Sequence, residues 1–452
     1  MVTRRRWFSA ALPVLAVRSA AGRANPSRAL RKRIRHAVEQ LEVVDSHEHI
    51  LPEQERVRQA VDFFTLAGHY AINDVISAGL APEEISRPGL SPLERWRVFE
   101  PFWLRARFTG YAQALRIAIR DIYGVGEISA GTLEKINQAI AARNKPGLYR
   151  YVLGERARIR YAVLDDYWNA APVRPDPEFF VLARKFDRFI LPATAKQLAE
   201  LEQLTGVSIT SLSGLKRAME RSFAQSLEAG MVAVKSTIAY SRELRFAEAS
   251  EQAAAADFLR LVRGEARLPE GFRARIERPL RALEDHMFHH LLRLAEAHRL
   301  PVQIHTGLLA GNGAYLANTD PTLLNNLFFL YPKITFDLFH IGYPYHDQLA
   351  ALAKLFPNVC IDFCWAHIIS PAVARRALGE FLDAVPVNKI LGFGGDYRYP
   401  ELTYGHLVIA RRNIVEVLAE KVEDGFCEED EAAEIARLLL ADNAARLFPR
   451  RS

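Results

Sequence analysis

Three polar residues spaced two apart, Asp45, His47 and His49, end an apolar stretch near the start of the chain, VVDSHEHI (43–50). Side chains two apart on a strand leave the same face about 6.5 Å apart along it. At the end of a strand, two imidazoles with this spacing can converge on one ion, as they do in zinc sites. His47 and His49 therefore predict a chelating pair, with Glu48 turned away, and a simple pair of loop histidines is the alternative.

Four more apolar stretches end in a basic or metal-binding residue. LPVQIHTG ends its apolar run at His305, ITFDLFHIGYPY at His340, GMVAVKST at Lys235, and KILGFGGDYRYPE at Asp396. An imidazole or charge at the end of a buried strand must be satisfied, and a shared divalent cation would satisfy several such groups together. The pattern predicts one metal centre where the strand ends meet.

Eight short apolar segments alternate with amphipathic helical segments from residue 43 onward. This alternation predicts a (β/α)8 TIM-type barrel, whose chemistry lies at the carboxyl ends of the strands. The eight candidate strands are 43–47, 160–164, 185–191, 231–235, 302–305, 334–340, 359–364 and 389–393.

A long helical insertion separates the first two candidate strands. Residues 52–150 contain several helical patterns, and 92–121 is rich in aromatic side chains. We expect these aromatics to form the core of the insertion rather than a ligand cage. Because the insertion leaves the carboxyl end of the first strand, it is a candidate lid over the barrel mouth. The aromatic residues are Trp96, Phe99, Phe102, Trp103 and Phe108.

Composition indicates a large globular protein. The chain has 452 residues, of which 50% are hydrophobic and 25% charged, and no apolar run approaches the roughly 18 residues of a membrane span. Residues 1–36 hold ten basic residues and no acidic one, so the net charge of +6 leaves a formal charge of −4 on the remainder. A mildly acidic body argues against a nucleic-acid groove. Three cysteines are too few for a disulfide framework.

The basic N-terminus resembles a twin-arginine export signal. TRRRWF (3–8) is close to that motif, and a short apolar run and small residues follow. Residues 1–27 are thus a candidate signal, with a disordered basic tail as the alternative, and 28–452 form the barrel. The signal predicts a periplasmic or exported protein; without it, the cytoplasm is expected.

The ordered set of strand-end residues resembles the amidohydrolase superfamily, with the His47–His49 pair on the first strand, His305 on the fifth, His340 on the sixth and Asp396 on the eighth. Three segments look like the amidohydrolase domain of nodulin- and FluG-type proteins that carry a glutamine-synthetase-like domain. The uronate isomerases, with the same barrel and a helical insertion after the first strand, are also similar. The three segments are VKSTIAYSREL (234–244), HIGYPYHDQLAALAKLFPNVCIDFCW (340–365) and DNAARLF (442–448).

The resemblance implies a single divalent ion held by His47, His49, His305 and Asp396. Zinc is expected, with manganese or iron as alternatives. Such an ion lowers the pKa of a bound water from 15.7 to about 7. Asp396 would then accept the proton of the water and return it to the leaving group, and His340 would polarise a carbonyl or bind substrate.

Lys235 has two interpretations. In binuclear relatives the equivalent lysine is carbamylated and bridges two metals, whereas an unmodified lysine would bind a substrate carboxylate; we favour the second. Arg242, Tyr397 and Arg398 lie just past candidate strand ends and also suggest a carboxylated substrate, although surface arginines are the alternative. Trp365 is a further candidate for the pocket.

Three functions are compatible with these residues. The first is a metal-dependent hydrolase of an amide or ester in a small carboxylated molecule. The second is a non-hydrolytic superfamily member, a decarboxylase or a uronate-type isomerase. The third is a catalytically silent exported binding protein. Each predicts a small-molecule ligand, no nucleic acid and no membrane span, and leaves a homo-oligomer open.

Overall fold

The computed structural model describes residues 27–267 and 269–450. The candidate export signal therefore lies outside the described residues, except for Ser27. The Oγ atom of Ser27 accepts a hydrogen bond from Leu30 N and so caps the first helix, α1 (Arg28–Gln40).

Eight parallel strands follow one another around a barrel in chain order. The ring closes where backbone bonds join the first strand to the segment after the eighth: Ser46 N donates to Phe393 O, and Asp396 N donates to His47 O. The predicted TIM-type barrel is thus confirmed. The strands are β1 (Val43–Glu48), β2 (Ile159–Asp165), β3 (Phe180–Lys185), β4 (Met231–Ser236), β5 (Val302–Ile304), β6 (Phe336–Leu338), β7 (Val359–Asp362) and β8 (Ile390–Leu391).

The third strand is displaced from the predicted segment. Residues 185–191 were expected to form it, but β3 ends at Lys185 and the apolar residues that follow begin a short helix. A short apolar run fits a strand and a buried helical turn equally well. Here the carboxylate of Asp187 accepts hydrogen bonds from the backbone N and the hydroxyl of Thr237, which holds this segment beside the end of β4.

The insertion between β1 and β2 is helical, as predicted. Trp96, Phe99 and Trp103 are buried and Phe102 is half-buried, but Phe108 is 70% exposed. Phe108 lies in the break between two helices of the insertion, where its ring faces solvent. The helices are α2 (Glu53–Arg58), α3 (Phe63–Ala67), α4 (Ala71–Ser77), α5 (Pro82–Ile85), α6 (Pro92–Ala106), α7 (Gly110–Tyr123) and α8 (Leu133–Arg143).

The remaining helices surround the barrel. No helix among the described residues is long and apolar enough to cross a membrane. The helices are α9 (Asp187–Ile190), α10 (Ala195–Thr205), α11 (Leu212–Glu228), α12 (Glu251–Val262), α13 (Arg281–Ala297), α14 (Asn325–Leu330), α15 (His346–Leu355), α16 (Ala366–Ile369), α17 (Pro371–Ala384), α18 (Pro400–Glu423), α19 (Glu429–Arg437) and α20 (Asn443–Leu447).

A buried ion pair ties the insertion to the barrel. Arg56 Nη2 on α2 donates to Glu401 Oε1 on α18 at 2.6 Å, and the hydroxyl of Tyr123 on α7 donates to the same oxygen at 2.5 Å. Arg56 and Glu401 are fully buried, so each would leave an uncompensated charge if its partner were removed. These contacts hold the insertion against the helix that follows β8.

Candidate active site and metal centre

Two imidazoles and a carboxylate meet at the carboxyl end of the barrel. His49 Nε2 lies 3.1 Å and His47 Nε2 lies 3.9 Å from Asp396 Oδ1. His47 is at the end of β1, His49 just follows it, and Asp396 follows β8. The closure of the barrel between β1 and β8 is what brings them together.

The ring orientations of His47 and His49 are set by acceptors on their outer nitrogens. His47 Nδ1 lies 3.2 Å from Gln303 Oε1, and His49 Nδ1 lies 3.1 Å from the backbone oxygen of Asp165. Both contacts require an N–H on Nδ1, because the partner oxygens only accept. In the neutral rings, the two Nε2 atoms then carry lone pairs directed at the carboxylate, and such outer partners are typical of metal-binding histidines.

His305 and His340 form a second facing pair. His305 Nδ1 and His340 Nε2 are 3.2 Å apart, while the other nitrogen of each ring is held by a backbone oxygen: Leu308 O for His305 and Cys364 O for His340. The two facing nitrogens therefore both carry lone pairs in neutral rings. Burial lowers the pKa of His340 to about 4 and that of His305 well below its usual value, so an extra proton between them is disfavoured at neutral pH.

These donors fit a divalent cation. His47 Nε2 is buried and has no hydrogen-bond partner among the described residues, and His49 Nε2 faces a carboxylate oxygen with a lone pair. A cation would remove both conflicts, since imidazole and carboxylate are ordinary ligands of zinc, manganese and iron. Of the four ligands expected from sequence, the structure brings His47, His49 and Asp396 into direct proximity. His305 adjoins this group through His340.

Tyr70 of the insertion reaches the carboxylate. Its hydroxyl lies 2.7 Å from the backbone oxygen and 3.0 Å from Oδ2 of Asp396. Burial by itself would raise the pKa of Asp396, but interactions with the neighbouring imidazoles outweigh burial and hold that pKa well below its usual value. Asp396 is therefore a carboxylate at neutral pH, with one oxygen facing the imidazoles and the other facing the Tyr70 hydroxyl.

Backbone strain is concentrated at these positions. Tyr70 (φ 71°), His340 (φ 61°), Trp365 (φ 62°) and Asp396 (φ 60°) all have positive φ. Conformations of this kind are costly for residues other than glycine and cluster at functional sites. Their coincidence around one carboxylate marks this end of the barrel as the active site candidate.

An aromatic stack closes the site on the insertion side. The ring of Trp365 stacks on Tyr70, with centroids 4.7 Å apart, and on Tyr111 of α7 at 5.8 Å. Its edge also meets His340 at 5.1 Å. Trp365, predicted to line the pocket, therefore joins barrel and insertion through stacked apolar surface that excludes water.

Lys235 ends β4 inside the barrel. Its Nζ lies 3.1 Å from the centre of the Phe339 ring, and burial lowers its pKa to about 8. A minor fraction of the Lys235 side chains is thus neutral at neutral pH, as carbamylation requires. The charged majority could bind a substrate carboxylate. Which role it has stays a prediction.

The other predicted substrate-binding residues separate into two groups. Arg242 is fully buried, and its guanidinium donates to Glu284 Oε2 at 3.0 Å and to Asp285 Oδ1 at 2.7 Å. The structure therefore does not bring Arg242 to the site. This is a correction to the sequence expectation: two acids on α13 neutralise Arg242 as a structural cation. Tyr397 and Arg398 directly follow Asp396, and Tyr397 N donates to Glu48 Oε2 at 2.7 Å.

Three residues near the site escaped the sequence analysis. Asp165 ends β2, with Oδ2 3.8 Å from His49 Nδ1 and 3.2 Å from Lys185 Nζ at the end of β3. Asp165 and Lys185 are both polar residues at the end of an apolar strand, the pattern used for the other site residues. Lys185 was missed because the third strand was predicted at 185–191 instead of 180–185. Tyr70 carries no such signal, since it lies in a helical insertion remote in sequence from every ligand.

Four buried carboxyl groups lie near the candidate metal centre. Asp45, Glu48, Asp337 and Asp362 are fully buried. Burial raises the pKa of Asp45 to about 7 and that of Asp362 to about 6. Asp45 Oδ1 accepts hydrogen bonds from His47 N and from Gly395 N, both at 3.1 Å, so this carboxyl group fixes the backbone that carries the ligands.

The sequence and the fold are each similar to those of known proteins. Residues 232–450 match a family model described as amidohydrolase. A segment of 152 residues is 31% identical to the protein fluG of Emericella nidulans, covering 33% of this chain but only 17% of the length of fluG. The part of the chain that carries Lys235, His305, His340 and Asp396 is therefore similar to amidohydrolases, in agreement with the resemblance of the strand-end residues.

Three solved structures share the fold over most of both chains. A uronate isomerase from Thermotoga maritima is 18% identical, covers 94% of this chain and 98% of its own, and has a TM-score of 0.75. A glucuronate isomerase from Caulobacter crescentus is 19% identical over 96% and 98%, with a TM-score of 0.72. A proposed metal-dependent hydrolase from Lactobacillus casei is 17% identical over 92% and 97%, with a TM-score of 0.65. At these identities the likeness concerns the barrel and its insertion, not the reaction.

Proposed function

We propose that the protein is a metal-dependent hydrolase that cleaves an amide or ester bond in a small carboxylated substrate. The observation that carries this proposal is the meeting of His47 Nε2, His49 Nε2 and the ionised Asp396 carboxylate at the buried end of the barrel. A divalent ion held there by His47, His49, Asp396 and His305 would supply Lewis acidity and a water of lowered pKa.

Asp396 is the proton carrier in this proposal. Its carboxylate accepts a proton from the attacking water and delivers it to the leaving nitrogen or oxygen. The Tyr70 hydroxyl, 3.0 Å from Oδ2, fixes the rotation of the carboxylate so that Oδ1 stays directed toward the imidazoles. Burial lowers the pKa of His340 to about 4, so in this proposal it polarises the substrate carbonyl or binds substrate as a neutral imidazole.

The charges around the site favour a substrate with a carboxylate. Lys235 is buried at the end of β4, Lys185 is 22% exposed at the end of β3, and Arg398 is half-buried beyond β8. An anionic group entering near these cations gains charge-assisted hydrogen bonds. The stacked rings of Tyr70, Tyr111 and Trp365 keep water from the opposite side.

A substrate screen tests the proposal. Zinc-loaded protein is incubated with a panel of N-acylated and γ-glutamyl-type amides, carboxylated esters and uronates, and products are followed by mass spectrometry. Hydrolysis of an amide or ester is expected, and Asp396→Asn should lower kcat by at least about 10³-fold, because the proton carrier is lost. Asp347→Asn, on the exposed start of α15, is the control and should leave kcat unchanged.

A second candidate is isomerisation of a uronate. The Tyr70 hydroxyl and the Asp396 carboxylate form an acid–base pair that could move a proton between neighbouring carbons, and two of the similar structures are described as uronate and glucuronate isomerases. Turnover of uronates alone, with incorporation of solvent deuterium at carbon, would establish this reaction and overturn the hydrolase proposal. Stoichiometric binding of a ligand without any turnover would support the third function, a catalytically silent binding protein.

A further inference from the structure

A cysteine lies within the group of metal-binding side chains. A ring nitrogen of His340, the Sγ atom of Cys364 and a carboxylate oxygen of Asp396 are all within 4.8 Å of one another, and all three residues are buried. Asp396 is also the residue that meets His47 and His49. Cys364, which lies two residues after the end of β7, is thus part of the same cluster.

Three hydrogen bonds hold the backbone around Cys364. Cys364 N donates to Asp362 Oδ1 at 2.7 Å, and Cys364 O accepts from His340 Nδ1 at 2.7 Å. Trp365 N donates to Gly394 O at 2.9 Å. Gly394 has no side chain, and a Cβ atom there would lie 2.8 Å from the Cβ atom of Cys364. The absence of a side chain at Gly394 therefore lets the cysteine approach the loop that carries Asp396.

An independent observation indicates that this space takes a cation. His47 Nε2 is fully buried, has no hydrogen-bond partner among the described residues and lies 3.9 Å from Asp396 Oδ1. An unpartnered buried nitrogen of this kind is costly unless a proton or a cation meets it. The Asp396 carboxylate therefore has the unpartnered His47 Nε2 on one side and the Cys364 Sγ atom within 4.8 Å.

We propose that Cys364 Sγ is a ligand of the divalent ion and biases the site toward zinc over manganese. The inference rests on the metal centre of the proposed function. On binding, the S–H bond breaks, a metal–sulfur bond forms and the proton leaves to solvent, with no change of oxidation state. Thiolate is a soft ligand that suits zinc, whereas manganese prefers oxygen ligands.

Cobalt substitution tests the ligand directly. The protein is loaded with one equivalent of Co²⁺, and the near-ultraviolet absorption is examined for a thiolate-to-cobalt charge-transfer band. The band is expected in the parent protein, absent in Cys364→Ser and retained in Cys360→Ser. Cys360 is the matched control because it is a buried cysteine on β7, four residues before Cys364.

Metal competition gives a second readout that does not depend on activity. With equal zinc and manganese, Cys364→Ser should lower the ratio of bound zinc to bound manganese by about tenfold, the usual scale for losing one contributor to a metal site. Cys360→Ser should leave the ratio unchanged. An equal ratio in Cys364→Ser and the parent protein would contradict the proposed bias.

X-ray absorption of the zinc-loaded parent protein covers the case in which Cys364→Ser does not fold. A sulfur scatterer at about 2.3 Å is expected. Bound cobalt or zinc without the charge-transfer band or the sulfur scatterer overturns this inference but leaves the proposed function intact. Failure to bind any stoichiometric metal would instead contradict the proposed function itself.

Discussion

The charge states of the site residues follow from their surroundings. Burial lowers the pKa of His340 to about 4 and that of His47 well below its usual value, so both imidazoles are neutral at neutral pH. Burial by itself would raise the pKa of Asp396, but the hydrogen bond and positive charge that His49 supplies when protonated hold this pKa well below its usual value, and a bound cation would take over that role. Neutral imidazoles beside an ionised carboxylate are the protonation states that metal binding requires.

The Tyr70 hydroxyl is expected to matter more than the Tyr70 ring. Tyr70→Phe keeps the stack on Trp365 but removes the donor to Asp396 Oδ2, so we expect kcat to fall by about 10²-fold with the metal content unchanged. Steady-state kinetics on the substrate from the screen, with metal analysis, measures this. Tyr111→Phe, which removes the hydroxyl of the other ring stacked on the same indole, should stay within about twofold; an equal loss in both variants would contradict a specific role of the Tyr70 hydroxyl.

Among the helices, close backbone approach decides how the insertion sits on the barrel. A Cβ atom at Gly405 of α18 would lie 2.1 Å from the backbone oxygen of Ala114 on α7. Gly405 thus allows the helix after β8 to touch the helix that carries Tyr111. A side chain at this position would push the insertion away from the site.

A pair of glycine substitutions tests this contact. Gly405→Ala should lower the free energy of unfolding by about 1–3 kcal/mol because the methyl group overpacks the interface. At Gly379 of α17 the nearest atom would be 3.9 Å away, so Gly379→Ala should instead stabilise the helix by about 0.5–1 kcal/mol. Denaturant unfolding of both variants measures this, and a neutral Gly405→Ala would contradict the close approach.

A buried histidine joins three elements and makes stability depend on pH. His367 on α16 has Nε2 3.0 Å from Gly392 O after β8 and Nδ1 3.2 Å from Asn413 Nδ2 on α18. Burial lowers the pKa of His367 to about 4, against about 6.5 in an unfolded chain. Between pH 6.5 and 4 the unfolded chain binds more protons, so the free energy of unfolding falls as the pH falls through this window.

Removing the titrating group should flatten that dependence. In His367→Gln we expect the loss of stability between pH 6.5 and 4 to be smaller by about 1 kcal/mol per pH unit, an upper figure for one proton. Chemical denaturation at several pH values measures the slope. His36→Gln, at an exposed position of α1, is the control and should follow the parent slope; the same slope in His367→Gln would contradict the prediction.

At the scale of the whole molecule, we expect the proposed metal binding to be coupled to folding. The proposed ligands lie at or just after the ends of β1, β5 and β8, so a bound ion would bridge segments that are separated by most of the chain. A ligand that binds the folded state alone stabilises it by about 2.7 kcal/mol at 100 times its Kd. Chelation should therefore lower Tm, and added zinc should restore it.

Thermal unfolding with metal analysis measures this coupling. His305→Ala should reduce the difference in Tm between the metal-loaded and chelated protein, whereas His298→Ala, at an exposed position, should not. An unchanged Tm in protein shown to have lost its metal would contradict a structural contribution of the ion.

Export of the whole protein is a separate proposal, based on TRRRWF at residues 3–8. Replacing both Arg4 and Arg5 with Lys should retain a reporter fused to the N-terminal segment in the cytoplasm, because the twin-arginine pair is the recognised feature. Cell fractionation measures this. Arg18→Lys is the control, and export of the reporter without the arginine pair would contradict the proposal.

The local pattern of the chain determined the barrel, the insertion and the strand-end positions of His47, His49, His305 and Asp396. This was possible because an apolar run that ends in a polar residue records where a strand leaves the core. The third strand failed this test, since a few apolar residues around Asp187 fit a helix as well as a strand.

Only the tertiary structure decided which atoms meet. Closure between β1 and β8 placed Asp396 against His47 and His49, and the packing of the insertion brought Tyr70 to the same carboxylate. Arg242 pairs with Glu284 and Asp285 on α13 and does not reach the site. Such pairings depend on strand register and on side-chain directions across the barrel, and residues far apart in the chain carry no local record of either.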